Sequence, residues 1–193
     1  MEIRILQEEE FKEAAGLSRY VFDHALRQRM EFTQTVAFVE DYLTADNLLR
    51  LTQEGKLNVW GAFEEMQLVG VSALQSDGMI TMLYVLPQFW NKGIGSRLLN
   101  TMRVYAKNVH GMERVLLNAT PAWTAFYFVK QGFSYLQPGQ NMRVPFVPMY
   151  ALTGDDAVLL KRRIPKRYIV MAVCFCILFA TVATWIFMKW YLS

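Results

Sequence analysis

Residues 168–188, YIVMAVCFCILFATVATWIFM, are 21 consecutive residues without a charge. A helix rises ~1.5 Å per residue, so the run reaches about 31 Å, the thickness of a bilayer hydrocarbon core. A core helix of a water-soluble domain rarely stays apolar on every face for that length. Lys161, Arg162, Arg163, Lys166 and Arg167 stand before the run, and Lys189 alone follows it. Trp185, Trp190 and Tyr191 gather at the far end, with Tyr168 at the near end. Interfacial aromatics and a basic leading flank predict one transmembrane helix with the preceding domain on the cytoplasmic side. The five cations also predict attraction to anionic membrane lipid, ~1 kcal/mol each near the surface.

The rest of the chain is long enough for one domain with a core of its own. The division expected is a domain over 1–157, a basic linker over 158–167, the membrane helix over 168–188 and a short tail over 189–193. The whole chain carries a formal charge of +3 and a pI near 8.9. Those figures mislead until they are divided. Residues 1–160 hold 14 cations against 17 acids, and the remainder holds six cations. The basic surplus belongs to the membrane junction, and a mildly acidic domain does not suit nucleic acid. The N-terminus, MEIRILQEEE, lacks the basic and apolar regions of a secretory signal. Cys174 and Cys176, both inside the apolar run, read as small apolar filler. No metal site is expected.

Periodicity predicts strand, two helical regions, three strands, helix, strand, helix and two strands. The strands are expected at 3–6, 57–63, 68–74, 79–85, 114–118, 133–136 and 143–152. Helical regions are expected at 8–26, 31–51 and 94–108, and from Thr120 to about 131. Thr120 reads as an N-cap with Pro121 at the first helical position. Gly132 ends that last helix. This order specifies an α/β domain with a mixed sheet.

The sequence NKGIGSRLL, Asn91 to Leu99, enters a helix directly after a strand and a short loop. Gly93 and Gly95 allow a ligand close to the backbone. The amides of Ile94, Gly95 and Ser96 lie at a helix N-terminus, where unpaired N–H groups and the helix dipole favour an anion. Lys92 and Arg97 add charge. A P-loop would need Lys and then Ser or Thr after its second glycine, and a dinucleotide loop would need glycine at Leu98. Neither pattern is present, and a pyrophosphate still suits the loop.

Taken together, LYVLPQFWNKGIGSRLL (83–99) and NATPAWTAFYFVKQGFSYL (118–136) resemble the GCN5-related N-acetyltransferases, the GNAT superfamily. The first matches that family's strand, pyrophosphate loop and helix. The second matches its Ala-x-x-Phe-Tyr-x-x-x-Gly-Phe type segment through Ala122, Phe126, Tyr127, Gly132 and Phe133. The resemblance covers roughly residues 1–155. It implies the GNAT fold and acetyl-CoA, or another acyl-CoA, as acyl donor. The cofactor would lie between the 79–85 and 114–118 strands. The backbones of Leu83 and Val85 would hold the pantetheine arm, and amides from Asn91, Lys92, Gly93, Ile94, Gly95 and Ser96 the pyrophosphate. Asn118 would bind the cofactor or order a water beside it. Tyr127 would be the general acid, and the Val85 N–H would stabilise the oxyanion. The family usually has Gln or Arg three residues before the first loop glycine, where this chain has Trp90.

The implied reaction is acyl transfer to an amine-bearing acceptor, a small molecule or a protein. A lysine-like amine costs roughly 4–5 kcal/mol to neutralise at pH 7 and an α-amine about 1. No general base is assigned. Asp23 and His24 are candidates for lining an acceptor pocket, Glu64 and Glu65 read as solvated, and His110 reads as a surface residue. A second expectation of another class is an acyl-CoA-binding membrane sensor or scaffold with little turnover.

Overall fold

The computed structural model describes residues 1–29, 33–136 and 146–154. Seven strands form one sheet among them, in the order β1-β2-β3-β4-β5-β7-β6. These are β1 (Glu2–Ile5), β2 (Leu57–Glu64), β3 (Gln67–Gln75), β4 (Met79–Val85), β5 (Arg114–Ala119), β6 (Ser134–Tyr135) and β7 (Val147–Leu152). Only the β4–β5 pairing is parallel. The mixed sheet predicted from the order of elements is therefore present.

β2 and β3 are buried along nearly their whole length because both faces of the sheet are covered. Alternation sends successive residues into two separate cores. Trp60, Ala62, Val69 and Leu74 pack with Leu98, Leu99 and Met102 of helix α4 (Ile94–His110). Leu57, Val59, Val71 and Ala73 pack with Phe11, Leu17 and Phe22 from the N-terminal helices and Leu48 of α3 (Ala45–Gln53).

The expected helix over 8–26 is continuous but not uniform. A 3₁₀ turn at Glu8–Glu10 leads into α1 (Phe11–Val21), which passes into a π-helical turn at Phe22–Leu26. The expected region over 31–51 divides into α2 (Thr33–Tyr42) and α3, because Thr44 caps α3 by accepting the Asn47 N–H at 3.3 Å. The N-cap assigned to Thr120 is not formed. Pro121 is extended at ψ 160°, so the helical turn starts at Ala122 and α5 occupies Ala125–Lys130.

β3 meets β4 with a register shift between Ala73 and Leu74. Ala73 faces Met82 and Leu74 faces Ile80, which leaves Thr81 as one extra residue in β4. β4 touches β5 only before that point, through Met79–Leu116 and Ile80–Leu117. Beyond Thr81 the two strands separate.

No helix of the described residues is long and apolar enough to cross a membrane. The run over 168–188, with Cys174 and Cys176, lies outside the described residues, as do the basic linker and the first three residues of the strand expected over 143–152.

Candidate active site

The separation of β4 from β5 leaves main-chain groups of β4 without a neighbour strand. The Leu86 N–H donates to Val69 O at 3.0 Å, and Val85 stands opposite Gly70. In an antiparallel ladder, bonded and non-bonded pairs alternate. Tyr84 is therefore the residue bonded to β3, while Val85 and Leu83 turn their N–H and C=O groups away from it, into the opening. These are the two residues the resemblance selected. Their side chains pack on the α4 core, whereas Tyr84 packs on the opposite one.

α4 begins beside this opening. Gly93 is its N-cap at φ +79°, a left-handed conformation that costs a glycine little. The Arg97 N–H makes the first intrahelical bond, to Gly93 O at 3.1 Å. The amides of Ile94, Gly95 and Ser96 thus precede the helix ladder, and no side chain caps them. Asn91 is also left-handed, at φ +62°, and Asn91, Lys92 and Gly93 are exposed. The Lys92 ammonium lies 4.5 Å from the Phe89 ring centre and 4.0 Å from a Glu64 carboxylate oxygen.

α5 brings Tyr127 to the same place. A Cβ built on Gly95 would lie 2.5 Å from the Tyr127 hydroxyl oxygen and 4.0 Å from Val85 Cγ2. The phenol therefore fills the space that a side chain at residue 95 would need. Its ring is 38% exposed and stands edge-on to Phe128. Burial pushes the Tyr127 pKa above the usual tyrosine value, and a hydrogen bond with the Ser96 side chain opposes that shift. At neutral pH the group holds its proton. It sits at the positive end of α4, which favours any negative charge it gains on losing that proton.

Five of the predicted residues are thus brought together: Val85, Ile94, Gly95, Ser96 and Tyr127. Asn118 is not among them. Val115, Leu117 and Ala119 face the α4 core, so Asn118 points to the other face of β5, and it is exposed. Asp23 is bound to Arg19 at 3.4 Å and Arg27 at 3.1 Å, and the His24 ring hydrogen-bonds Tyr20 O within its own helix at 2.9 Å. The Asp23 carboxylate is thus engaged by two guanidinium groups, while the exposed His24 ring donates from Nδ1 and keeps Nε2 as its acceptor. His110 is exposed at the end of α4 and stands edge-on to Tyr105.

Three features escaped the sequence reading. The Trp90 indole N–H donates to Val85 O at 2.7 Å. The Tyr42 hydroxyl donates to Thr81 Oγ1 at 2.9 Å, tying α2 to the extra residue of β4. Arg103 is buried, donates to Gln131 O at the end of α5 at 2.7 Å and lies over the Phe133 ring. Only Arg103 left a signal, as a cation on the helix face that carries Leu99, Met102 and Ala106. Among the described residues no cluster of His, Cys, Asp and Glu could hold a metal ion.

Residues 12–152 match the sequence profile of the family described as "Acetyltransferase (GNAT) domain". No curated protein matches the chain. Among solved structures, a GCN5-related N-acetyltransferase from Rhodopseudomonas palustris is 17% identical. The match covers 78% of this chain and 94% of that one, with a TM-score of 0.64. The PaiA N-acetyltransferase of Thermoplasma acidophilum, solved with coenzyme A, is 18% identical over 79% and 99% of the two chains, with a TM-score of 0.60. A variant of the spermidine N-acetyltransferase SpeG from Vibrio cholerae is 16% identical over 79% and 95%, with a TM-score of 0.53. At these identities the structures establish likeness of fold.

Proposed function

The chain belongs to the GNAT acetyltransferase family, and from that premise we propose that it transfers an acetyl group from acetyl-CoA to an amine, as an enzyme anchored by residues 168–188. The observation that carries this reading is the placement of the Tyr127 hydroxyl against Gly95, at the head of α4 and next to Val85. An anion cradle, a main-chain edge without a neighbour strand and a protonated phenol converge there.

The residues present fit an acyl-CoA. The uncapped amides of Ile94, Gly95 and Ser96, with Lys92 beside them, suit a pyrophosphate. The outward main-chain groups of Leu83 suit the amide-bearing arm, and the Val85 N–H lies one step further along the same edge. Asn118 has no role in this reading. When bound, a thioester supplies an acyl carbon open to attack by an amine. The Val85 N–H, free of β3, is the donor for negative charge on the acyl oxygen. Tyr127 holds a proton for the departing sulfur. Help of this kind amounts to ~10²–10⁴ in rate. The acceptor is an amine of unassigned class, and the membrane anchor favours one that is membrane-associated.

The test uses the full chain in detergent, with coenzyme A titrated calorimetrically and thioester consumption followed across a panel of amines. Binding with turnover supports the enzyme. Binding without turnover across the panel would favour the sensor reading, and no binding at millimolar coenzyme A removes both. For the anchor, resistance of the full chain to alkaline extraction from membranes is expected, with release on truncation after residue 157. Release of the intact chain refutes it.

A further inference from the structure

Trp90 stands where the family usually has Gln or Arg, yet its indole makes a specific bond. The acceptor of that bond is the carbonyl of Val85, 2.7 Å away. That carbonyl and the Leu86 N–H belong to one peptide group. The Leu86 N–H is already committed to Val69 O at 3.0 Å. The plane joining residues 85 and 86 is therefore pinned at both ends, on one side by the sheet and on the other by Trp90. Ahead of it, the alternation of the ladder commits the Tyr84 carbonyl to β3. Val85 thus sits between two fixed peptide planes, with its own N–H turned into the opening. Without the indole bond, the last peptide of β4 would be held from one side only, at the point where β5 no longer supports the strand.

The bond has a second effect. It occupies the Val85 carbonyl, leaving the N–H as the main-chain group of that residue free to meet a ligand. The loop that carries Trp90 is itself rigid, because the Phe89 N–H donates to Leu86 O at 2.9 Å and the Trp90 N–H to Pro87 O at 3.1 Å. The indole is 49% exposed, so its contribution to core packing is partial.

We infer that Trp90 is a positioning residue: its indole N–H fixes the Val85 peptide so that the Val85 N–H is aimed at the thioester carbonyl. This inference rests on the reading of the opening as an acyl-CoA site.

The test follows the carbonyl itself and needs no acceptor. Full-length protein in detergent is loaded with acetyl-CoA labelled with ¹³C at the acetyl carbonyl, and the isotope-edited infrared band is compared with that in buffer. Coenzyme A affinity is measured in parallel by calorimetry. In the wild type the carbonyl stretch is expected to shift to lower frequency, as a hydrogen-bonded carbonyl does. Trp90→Phe keeps a ring and removes the donor. It is expected to lose most of the shift while coenzyme A affinity changes by less than about tenfold, the most that one neutral hydrogen bond supplies. Trp90→Gln, which restores an N–H donor, is expected to recover part of the shift. A full shift in Trp90→Phe overturns the inference. So does joint loss of coenzyme A binding and melting temperature in that variant, which marks Trp90 as structural. Wild-type binding without any shift also overturns it, leaving the acyl-CoA site intact. Failure of the wild type to bind coenzyme A refutes the site reading itself, before any variant is compared.

Discussion

Gly95→Ala separates the two tasks of the α4 head. The amide of residue 95 survives the change, but the new Cβ would lie 2.5 Å from the Tyr127 oxygen, against the 3.4 Å at which ordinary contact begins. The phenol must move by about 0.9 Å. That motion carries it away from the Ser96 side chain, whose polar interaction with it is worth about 1 kcal/mol at most. Alanine in place of glycine returns up to ~1 kcal/mol of helix propensity. Net stability is therefore expected to change by less than about 1 kcal/mol. Activity is expected to fall about 100-fold, because an acid misplaced by ~1 Å loses that much. The next Tyr127 atom, Cζ, is 3.5 Å from the point the new Cβ would occupy, an ordinary contact. In a Tyr127→Phe background the same Gly95→Ala change meets no clash. It should then stabilise the protein by about 0.5–1 kcal/mol and cost no further activity. Denaturant melts of the wild type, both single variants and the double variant give the coupling, expected near 1 kcal/mol. Thioester consumption gives the kinetic half. Additive effects in both measurements would refute the placement of the phenol. Loss of coenzyme A binding in Gly95→Ala would show that the cradle, not the acid, had been damaged.

Three further outcomes are expected. In the β2–β3 turn, Glu65 and Met66 both have positive φ, at 49° and 69°, and Met66 is fully exposed. Met66→Gly should raise stability by about 1 kcal/mol, read as a higher melting temperature, since the left-handed conformation costs a β-carbon roughly 1–2 kcal/mol. Glu64→Gln should tighten coenzyme A binding up to about threefold at low salt by freeing Lys92, and the gain should fade in ~1 M salt. Glu10 is bonded to Arg4 at 2.6 and 2.7 Å, which lowers its pKa from 4.5 to about 2. A depressed carboxylate pKa stabilises the fold above the unfolded value and loses that effect as pH falls through the folded one. Wild type should therefore lose stability between pH 4.5 and 2 more steeply than Glu10→Gln, as read from denaturation midpoints across that range.

The sequence showed the parts whose causes are local. β4 was predicted at its observed bounds, because a strand covered on both faces is apolar throughout. α4 began where Gly93 and Gly95 placed it. Tyr127 and Gly95 were each singled out, but their contact joins residues 32 positions apart and no periodicity carries it. The Trp90 bond was hidden for another reason: a tryptophan at a Gln or Arg position reads as a lost polar group, and its single donor counts only once the Val85 carbonyl is seen beside it. Thr120 failed as a cap because Pro121 stays extended, a choice made by the surrounding chain. Asn118 was named by motif, and the alternation of β5 turns it away from the α4 core.

Thr81 divides β4 into two working halves. Before it, Met79 and Ile80 are sheet on both sides; after it, Leu83 and Val85 belong to the sheet on one side and to the opening on the other. Its removal would leave the pairing with β3 in phase, because Ile80 already faces Leu74 and Met82 already faces Ala73. What would go is the bulge, and with it the local bend and added twist that an unpaired residue gives a strand. The opening is thus a matter of direction: one inserted residue turns a strand off one neighbour while its ladder to the other runs on.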